Sequence, residues 1–214
     1  MNTAWKLFFI LCFLMFTHDG PCAQEESGEA HALLWKMAVL KKSGSAYESV
    51  PFRQPLTLTR RDAYQLYLGF EGAGYCYVVQ EDDEGKLPVV YRKIVSPGDQ
   101  ITLPADILRE GAEESRDFRA GDLLGTSRLY MIISTQPRKN LERLMDQHGK
   151  EPVTVSLERS LLSEVLAIRR SLSSFPVPTE TAVPPAETEP AIKGELSRFE
   201  GREAWVVTIT VRVQ

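Results

Sequence analysis

Cysteine is scarce in this chain of 214 residues: there are three, and two of them, Cys12 and Cys22, lie in an N-terminal stretch that reads as an export signal. Once that stretch is removed, Cys76 has no partner. An intramolecular disulfide is then excluded even in an oxidising compartment, and burial alone must hold the domain together. Histidine is as sparse, with only His31 and His148 beyond the signal region. A histidine-based metal site or catalytic triad therefore has little to draw on, and His148 is expected simply to complement a helix C-terminus. Lysine and arginine never form a block, and the formal net charge is -4. Binding to phosphate backbones needs a concentrated basic face, so nucleic acid is not an expected partner. Long apolar runs are also missing: the longest near the N-terminus, Leu7 to Phe16, has ten residues, against roughly 20 for a spanning helix. No internal repeat of solenoid or propeller length is visible.

What is present at the N-terminus is Lys6 followed by that short apolar run and then Thr17-His18-Asp19-Gly20-Pro21. A weakly basic start, an apolar core and a small-residue region are the parts of a signal peptide, expected over residues 1–23. Cleavage after Ala23 puts Pro21 three residues upstream, and cleavage after Cys22 puts Gly20 there. In a third route Cys22 becomes the acylated first residue of a membrane-tethered lipoprotein, although Asp19-Gly20-Pro21 departs from the usual motif with leucine three residues before the cysteine. The expected location is periplasmic or extracellular, with membrane contact only if Cys22 is lipidated.

Beyond the signal, period-two alternation leads. Tyr64, Leu66, Leu68 and Phe70 share one face of a strand, and Tyr75-Cys76-Tyr77-Val78-Val79 is apolar enough to be a strand covered on both sides. Turn chemistry at Glu71-Gly72-Ala73-Gly74 predicts that the two form an antiparallel hairpin. A second reversal is expected at Glu81-Asp82-Asp83-Glu84-Gly85, with Gly85 free to take a positive φ. The returning strand, Leu87 to Tyr91, contains Pro88, which lacks a backbone donor, so that strand belongs at an edge or starts after the proline. Further strands are expected at Leu33 to Leu40, Gln100 to Leu103 and Leu129 to Ser134, with a mobile loop from Ala105 to Asp122.

Helical spacing takes over later. Leu141, Leu144 and Met145 share a face in a helix with Thr135 as N-cap, Pro137 in its first turn and an end at His148-Gly149. Leu157, Leu161, Val165, Ile168 and Leu172 mark a second helix over Ser156 to Leu172. The composition of residues 173–192, rich in proline, threonine and glutamate, predicts an extended linker. Alternation then returns at Ala204 to Val213, within a C-terminal hairpin or strand over residues 193–214 that rejoins the main sheet. These elements add up to an α+β, mainly β, antiparallel β-sandwich-like domain with one or two packed helices, its body spanning residues 24–172.

Residues 54–147 resemble the bacterial family known as domain of unknown function 4384. The resemblance rests on Ala63-Tyr64-Gln65-Leu66-Tyr67-Leu68, Gly74-Tyr75-Cys76-Tyr77-Val78-Val79, the Asp83-Glu84-Gly85 turn, Gln100-Ile101-Thr102-Leu103-Pro104, and Gly125-Thr126-Ser127-Arg128-Leu129-Tyr130-Met131-Ile132-Ile133-Ser134. It implies a compact β-rich module of exported bacterial proteins, also found attached to caspase-like peptidase or protein-kinase domains, neither of which fits in this chain. Members commonly end the strand after the acidic turn in an aromatic-proline pair, whereas here Val90-Tyr91-Arg92 continues without proline.

None of these patterns is a catalytic signature, and no catalytic residue, cofactor or metal is expected. Cys76 sits among apolar strand residues and reads as core packing, since an activated thiolate needs exposure and a positive neighbour. The glycines of Gly69 to Gly74 are followed by a strand and not a helix, which suits a tight turn and not a phosphate loop. The carboxylates of Glu81 to Glu84 could attract calcium but lack the spacing of a helix-loop-helix site, and a solvated turn fits them better. The least implausible binding surface is the strand aromatics Tyr64, Tyr75, Tyr77 and Tyr91, weighed against ordinary sheet packing. Beside it stand the edge strand Val89, Val90, Tyr91 and Arg92, whose unpaired backbone could engage a partner, and the loop from Ala105 to Asp122, whose mobile charged side chains could do the same. The expectation is a non-enzymatic interaction module for a protein or envelope component, with a hydrolase acting on an envelope polymer as the rival.

Overall fold

A computed structural model describes residues 33–43, 46–50, 55–59, 61–103, 118–119, 125–150, 152–172, 180–182, 192–201 and 203–214. The signal region, His31 and most of the Ala105 to Asp122 segment therefore lie outside the described residues.

Two sheets face each other. The first is built on β1 (Leu33–Ser43), whose one edge pairs antiparallel with β4 (Ala63–Phe70). Its other edge is shared between β12 (Leu196–Gly201), opposite Leu33 to Met37, and β2 (Ala46–Val50), opposite Val39 to Ser43. Outside these lie β10 (Glu180–Ala182) on β12 and β11 (Ile192–Lys193), parallel to β2. Beyond β4 lie β7 (Gln100–Leu103) and the two-residue β8 (Phe118–Arg119). The second sheet has the order β3 (Leu56–Leu58), β13 (Ala204–Val213), β9 (Thr126–Ser134), β5 (Gly74–Glu81), β6 (Val89–Val95). The mainly β, sandwich-like α+β fold is thus the observed one.

Alternation decides what each face buries. Trp35, Met37 and Val39 of β1, Leu66, Leu68 and Phe70 of β4, and Phe199 of β12 project between the sheets. They meet Cys76 and Val78 of β5, Leu129, Met131 and Ile133 of β9, and Val207, Ile209 and Val211 of β13. Trp35 and Phe199 stack with ring centroids 4.3 Å apart. The corner from β12 to β13 depends on Gly201: a Cβ there would lie 1.2 Å from the indole Nε1 of Trp205, so no larger residue fits.

The opposite face of the second sheet is also covered, by α1 (Lys139–His148) and α2 (Val155–Ser171). Tyr77, Val79, Tyr130, Ile132 and Val206 of the strands bury against Leu141, Leu144 and Met145 of α1 and Leu161, Val165 and Ile168 of α2. In α2 the Thr154 hydroxyl accepts from the Leu157 amide at 3.3 Å, and Arg169 and Arg170 complement the C-terminal dipole.

Three expectations are corrected. The β4 and β5 strands do not form a hairpin, because β4 belongs to the first sheet and β5 to the second. Glu71 holds the turn to the first sheet, with its amide bonded to the Leu34 carbonyl at 2.8 Å and its carboxylate bonded to Lys36 at 2.5 Å and Arg198 at 2.9 Å. Those cations hold the Glu71 carboxyl below the usual carboxylate range, Lys36 most strongly. Thr135 is not the cap of α1 either, since its hydroxyl donates to the Glu203 carbonyl at 3.1 Å and α1 starts at Lys139. Finally, within the proline-rich stretch, Glu180–Ala182 pairs with β12.

Candidate functional site

One border of the second sheet among the described strands is β6, which follows β5 through a turn encoded locally. Asp82 Oδ1 accepts from the amides of Glu84, at 3.0 Å, and Lys86, at 2.8 Å, while Gly85 takes φ 78°. An aspartate that bonds the backbone ahead of it and a glycine at positive φ together close a tight reversal. Leu87 is then buried and its amide donates to Glu158 Oε1 of α2 at 3.0 Å, which ties the hairpin to the helix layer. Pro88 ends the connection and β6 begins at Val89. At its far end Val95 is buried between the sheets, after which Gly98, at φ 88°, turns the chain toward β7.

Among the described strands only β5 pairs with β6, with Gly74 opposite Val95 and Gln80 opposite Val89. Its other edge carries no strand among the described residues, and an edge of that kind presents backbone donors and acceptors to an incoming strand. Side chains alternate across it. Val90, Arg92 and Ile94 lie on the helix side, where Val90 packs into the helix-facing cluster and Arg92 pairs with Asp146 of α1 at 2.7 Å. Tyr91, Lys93 and Val95 lie on the side facing the first sheet, where Tyr91 packs at the rim of the core. Ile94 is 73% exposed, the largest fraction among the exposed large hydrophobic residues described.

The tyrosines expected to share a groove are not brought together. Tyr64 is buried on β4 in the first sheet, and its phenol is pushed up by burial. Tyr75 and Tyr77 stack at 6.5 Å on the helix side of β5, whereas Tyr91 faces the first sheet. The Tyr77 hydroxyl serves the fold instead, accepting from the Arg138 amide at 3.0 Å and donating to Glu142 Oε1 at 2.8 Å, and so it caps the start of α1. By contrast Val89, Val90, Tyr91 and Arg92 do lie together on one edge strand. Lys93 and Ile94 complete that edge beyond the residues singled out by sequence, and extending the same alternation by one period finds both.

Other candidate groups are engaged within the fold. Cys76 is buried, and its thiol is pushed up to about 12 by that burial, only partly offset by Lys93. Glu81 accepts from Tyr130 at 2.8 Å, Asp82 holds the turn and Glu84 pairs with Lys86 at 2.5 Å. Among the described residues no three His, Cys, Asp or Glu side chains are grouped as metal ligands, and His148 is the only histidine. No helix among them is long and apolar enough to cross a membrane. A shallow groove of about 660 Å³ runs between α1 and α2, lined by Asn140, Arg143, Gln147, Ser160, Ser163 and Glu164. Its polar groups are bonded to one another, with Asn140 donating to Glu164 at 2.7 Å and Arg143 donating to Asn140 at 2.9 Å. Compared with protein-family models, curated proteins and solved structures, the chain matches none.

Proposed function

We propose that this chain is an exported, non-enzymatic interaction module of the periplasm or cell exterior, binding a protein or envelope component through the free edge of β6. The observation that carries the reading is the position of that strand: seven residues long, last in its sheet, and bearing Ile94 exposed at 73%. Strand addition to such an edge supplies main-chain hydrogen bonds for affinity, with flanking side chains for selectivity. The hairpin turn and the bond from Leu87 to Glu158 hold the edge in place before a partner arrives, which lowers the ordering cost of association. Export rests on the order of Lys6, the apolar run and the small-residue region, and assignment to the domain of unknown function 4384 family rests on the strand and turn patterns between residues 54 and 147.

The test is site-specific photocrosslinking in intact cells, with the crosslinker at position 94 and, for comparison, at position 163 in the helix groove. Partner adducts from position 94 and not from 163, found in the exported fraction and lost from that fraction when residues 1–23 are deleted, support the reading. Adducts from position 163 alone overturn the β6 site. Turnover of an envelope polymer by purified protein, abolished by changing one carboxylate and not by changing β6, overturns the module in favour of a hydrolase.

A further inference from the structure

Self-association is the first hazard of a free edge, and the charge along β6 bears on it directly. From Lys86 to Val95 the chain carries Lys86, Arg92 and Lys93 and no acidic residue, in a protein whose formal net charge is -4. Lys86 pairs with Glu84 and Arg92 with Asp146, whereas Lys93 has no ion pair among the described residues. Lys93 is half-buried opposite Cys76, on the side facing the first sheet, an inward-pointing charge of the kind that guards edge strands against pairing with their own copies. A second copy of β6 laid antiparallel on the first would bring the Arg92-Lys93 segment near its own image, and like charges across a strand pair are destabilising. The same cation favours a carboxylate on an incoming strand. On the opposite face that strand would lie beside exposed Ile94, where an apolar side chain removes both surfaces from water.

Resting on the reading of β6 as an interaction edge, we infer that its occupant is an extended segment of a partner protein in which apolar residues on one face alternate with aspartate or glutamate on the other. The apolar residues flank Ile94 and the carboxylates flank Lys93. A second copy of this chain is the disfavoured occupant.

Three fluorescein-labelled twelve-residue peptides test the inference on the full exported chain: alternating Val-Glu, alternating Val-Gln and alternating Val-Lys, each flanked by Gly-Ser. Binding of Val-Glu about tenfold tighter than Val-Lys is expected at low salt. Lys93→Glu should reverse that order, Ile94→Ser should weaken every peptide, and N-methylation of alternate peptide amides should abolish binding. Unchanged melting curves for both variants keep folding out of the comparison. An order of peptides that survives Lys93→Glu overturns the acidic class. Tighter Val-Lys binding that still depends on Ile94 and on the peptide amides also overturns it, while sustaining β6 as the interaction edge. Absence of binding by all three overturns the inference, and the crosslink from position 94 then decides the broader reading separately.

Discussion

β5 and β6 are the two arms of one hairpin, nearly equal in length and joined by the turn from Asp82 to Pro88, yet they do opposite work. β5 lies between β9 and β6 with both faces covered, by the first sheet on one side and the helices on the other. Its sequence is accordingly almost continuous in apolar and aromatic residues, as a strand buried on both faces requires. β6 has one neighbour among the described strands, keeps Arg92 and Ile94 exposed and carries two adjacent cations. On the proposed reading stability belongs to the first arm and recognition to the second, so substitutions should separate the two.

The sharpest break comes from placing the same charge on each arm. Val78 is fully buried between the sheets, and Val78→Asp should cost more than about 4 kcal/mol, because a carboxylate there is desolvated without a partner. Ile94→Asp should cost no more than about 1 kcal/mol, the span of strand propensity itself. Urea unfolding of the two variants measures both, and similar losses would show that β6 is not a free edge.

Next in size is the bond from β5 to the helix layer. Tyr77→Phe keeps the ring but removes the acceptor for the Arg138 amide and the donor to Glu142, for an expected loss of about 1–3 kcal/mol. The phenol also makes stability pH-dependent. Burial, helped by the Glu142 carboxylate and opposed by the hydrogen bond from the Arg138 amide, raises the Tyr77 phenol above its ordinary 10.0. A group whose folded pKa is raised contributes stability that is fully present below the unfolded pKa and is lost as pH rises through the folded one. Wild-type stability should therefore fall as pH climbs above about 10, with a shallower fall in Tyr77→Phe, read from chemical denaturation at a series of pH values.

How much of this was legible in the sequence depended on whether the cause was local. The β5–β6 reversal was, since Asp82 and Gly85 act on their own neighbours, and Pro88 marked where β6 could begin. The stripe Leu161, Val165 and Ile168 likewise declares α2 without reference to anything else. The cap of α1 was not legible, because Tyr77 lies 61 residues before the amide that it accepts from. Nor was the sheet to which β4 belongs, for two apolar strands and a glycine turn describe a hairpin and a crossing between sheets equally well. β12 escaped because only Leu196 and Phe199 are large and apolar in it, and its place comes from pairing with β1 and from the stack on Trp35. At the candidate site Val89 to Arg92 were found through the proline, while the meaning of Lys93 and Ile94 depends on which face each occupies and on what fails to cover it.

A smaller effect is expected at Cys76, which joins the two arms by sitting on β5 opposite Lys93. Cys76→Ala removes a small buried side chain from the interlayer core and should cost about 1–2 kcal/mol. The native thiol should resist a bulky maleimide without denaturant, because burial holds it neutral up to about 12. Its folded pKa is raised from 9.0, so it too contributes stability that is lost with rising pH, from about 9 to about 12, and the variant should lack that component. Rapid native labelling would show that the hairpin opens at this position.

The smallest effect tests whether the helix layer leans on the edge strand. Arg92 and Asp146 meet at 2.7 Å, but their side chains are 45% and 52% exposed, so solvent screens the attraction and both side chains lose freedom in making it. Arg92→Ala should therefore change stability by less than about 0.5 kcal/mol, with the pair weakening further at high salt. What fixes α1 against the sheet is the burial of Leu141, Leu144 and Met145 and the bonds of Tyr77, none of which the substitution touches. Urea unfolding at low and high salt gives the comparison, with Asp146→Ala as its partner in a double-mutant cycle. A coupling above about 1 kcal/mol, beyond the range of ordinary exposed pairs, would mean that the ion pair anchors α1 to β6, and the division between a stabilising arm and a recognising arm would then fail at its helix face.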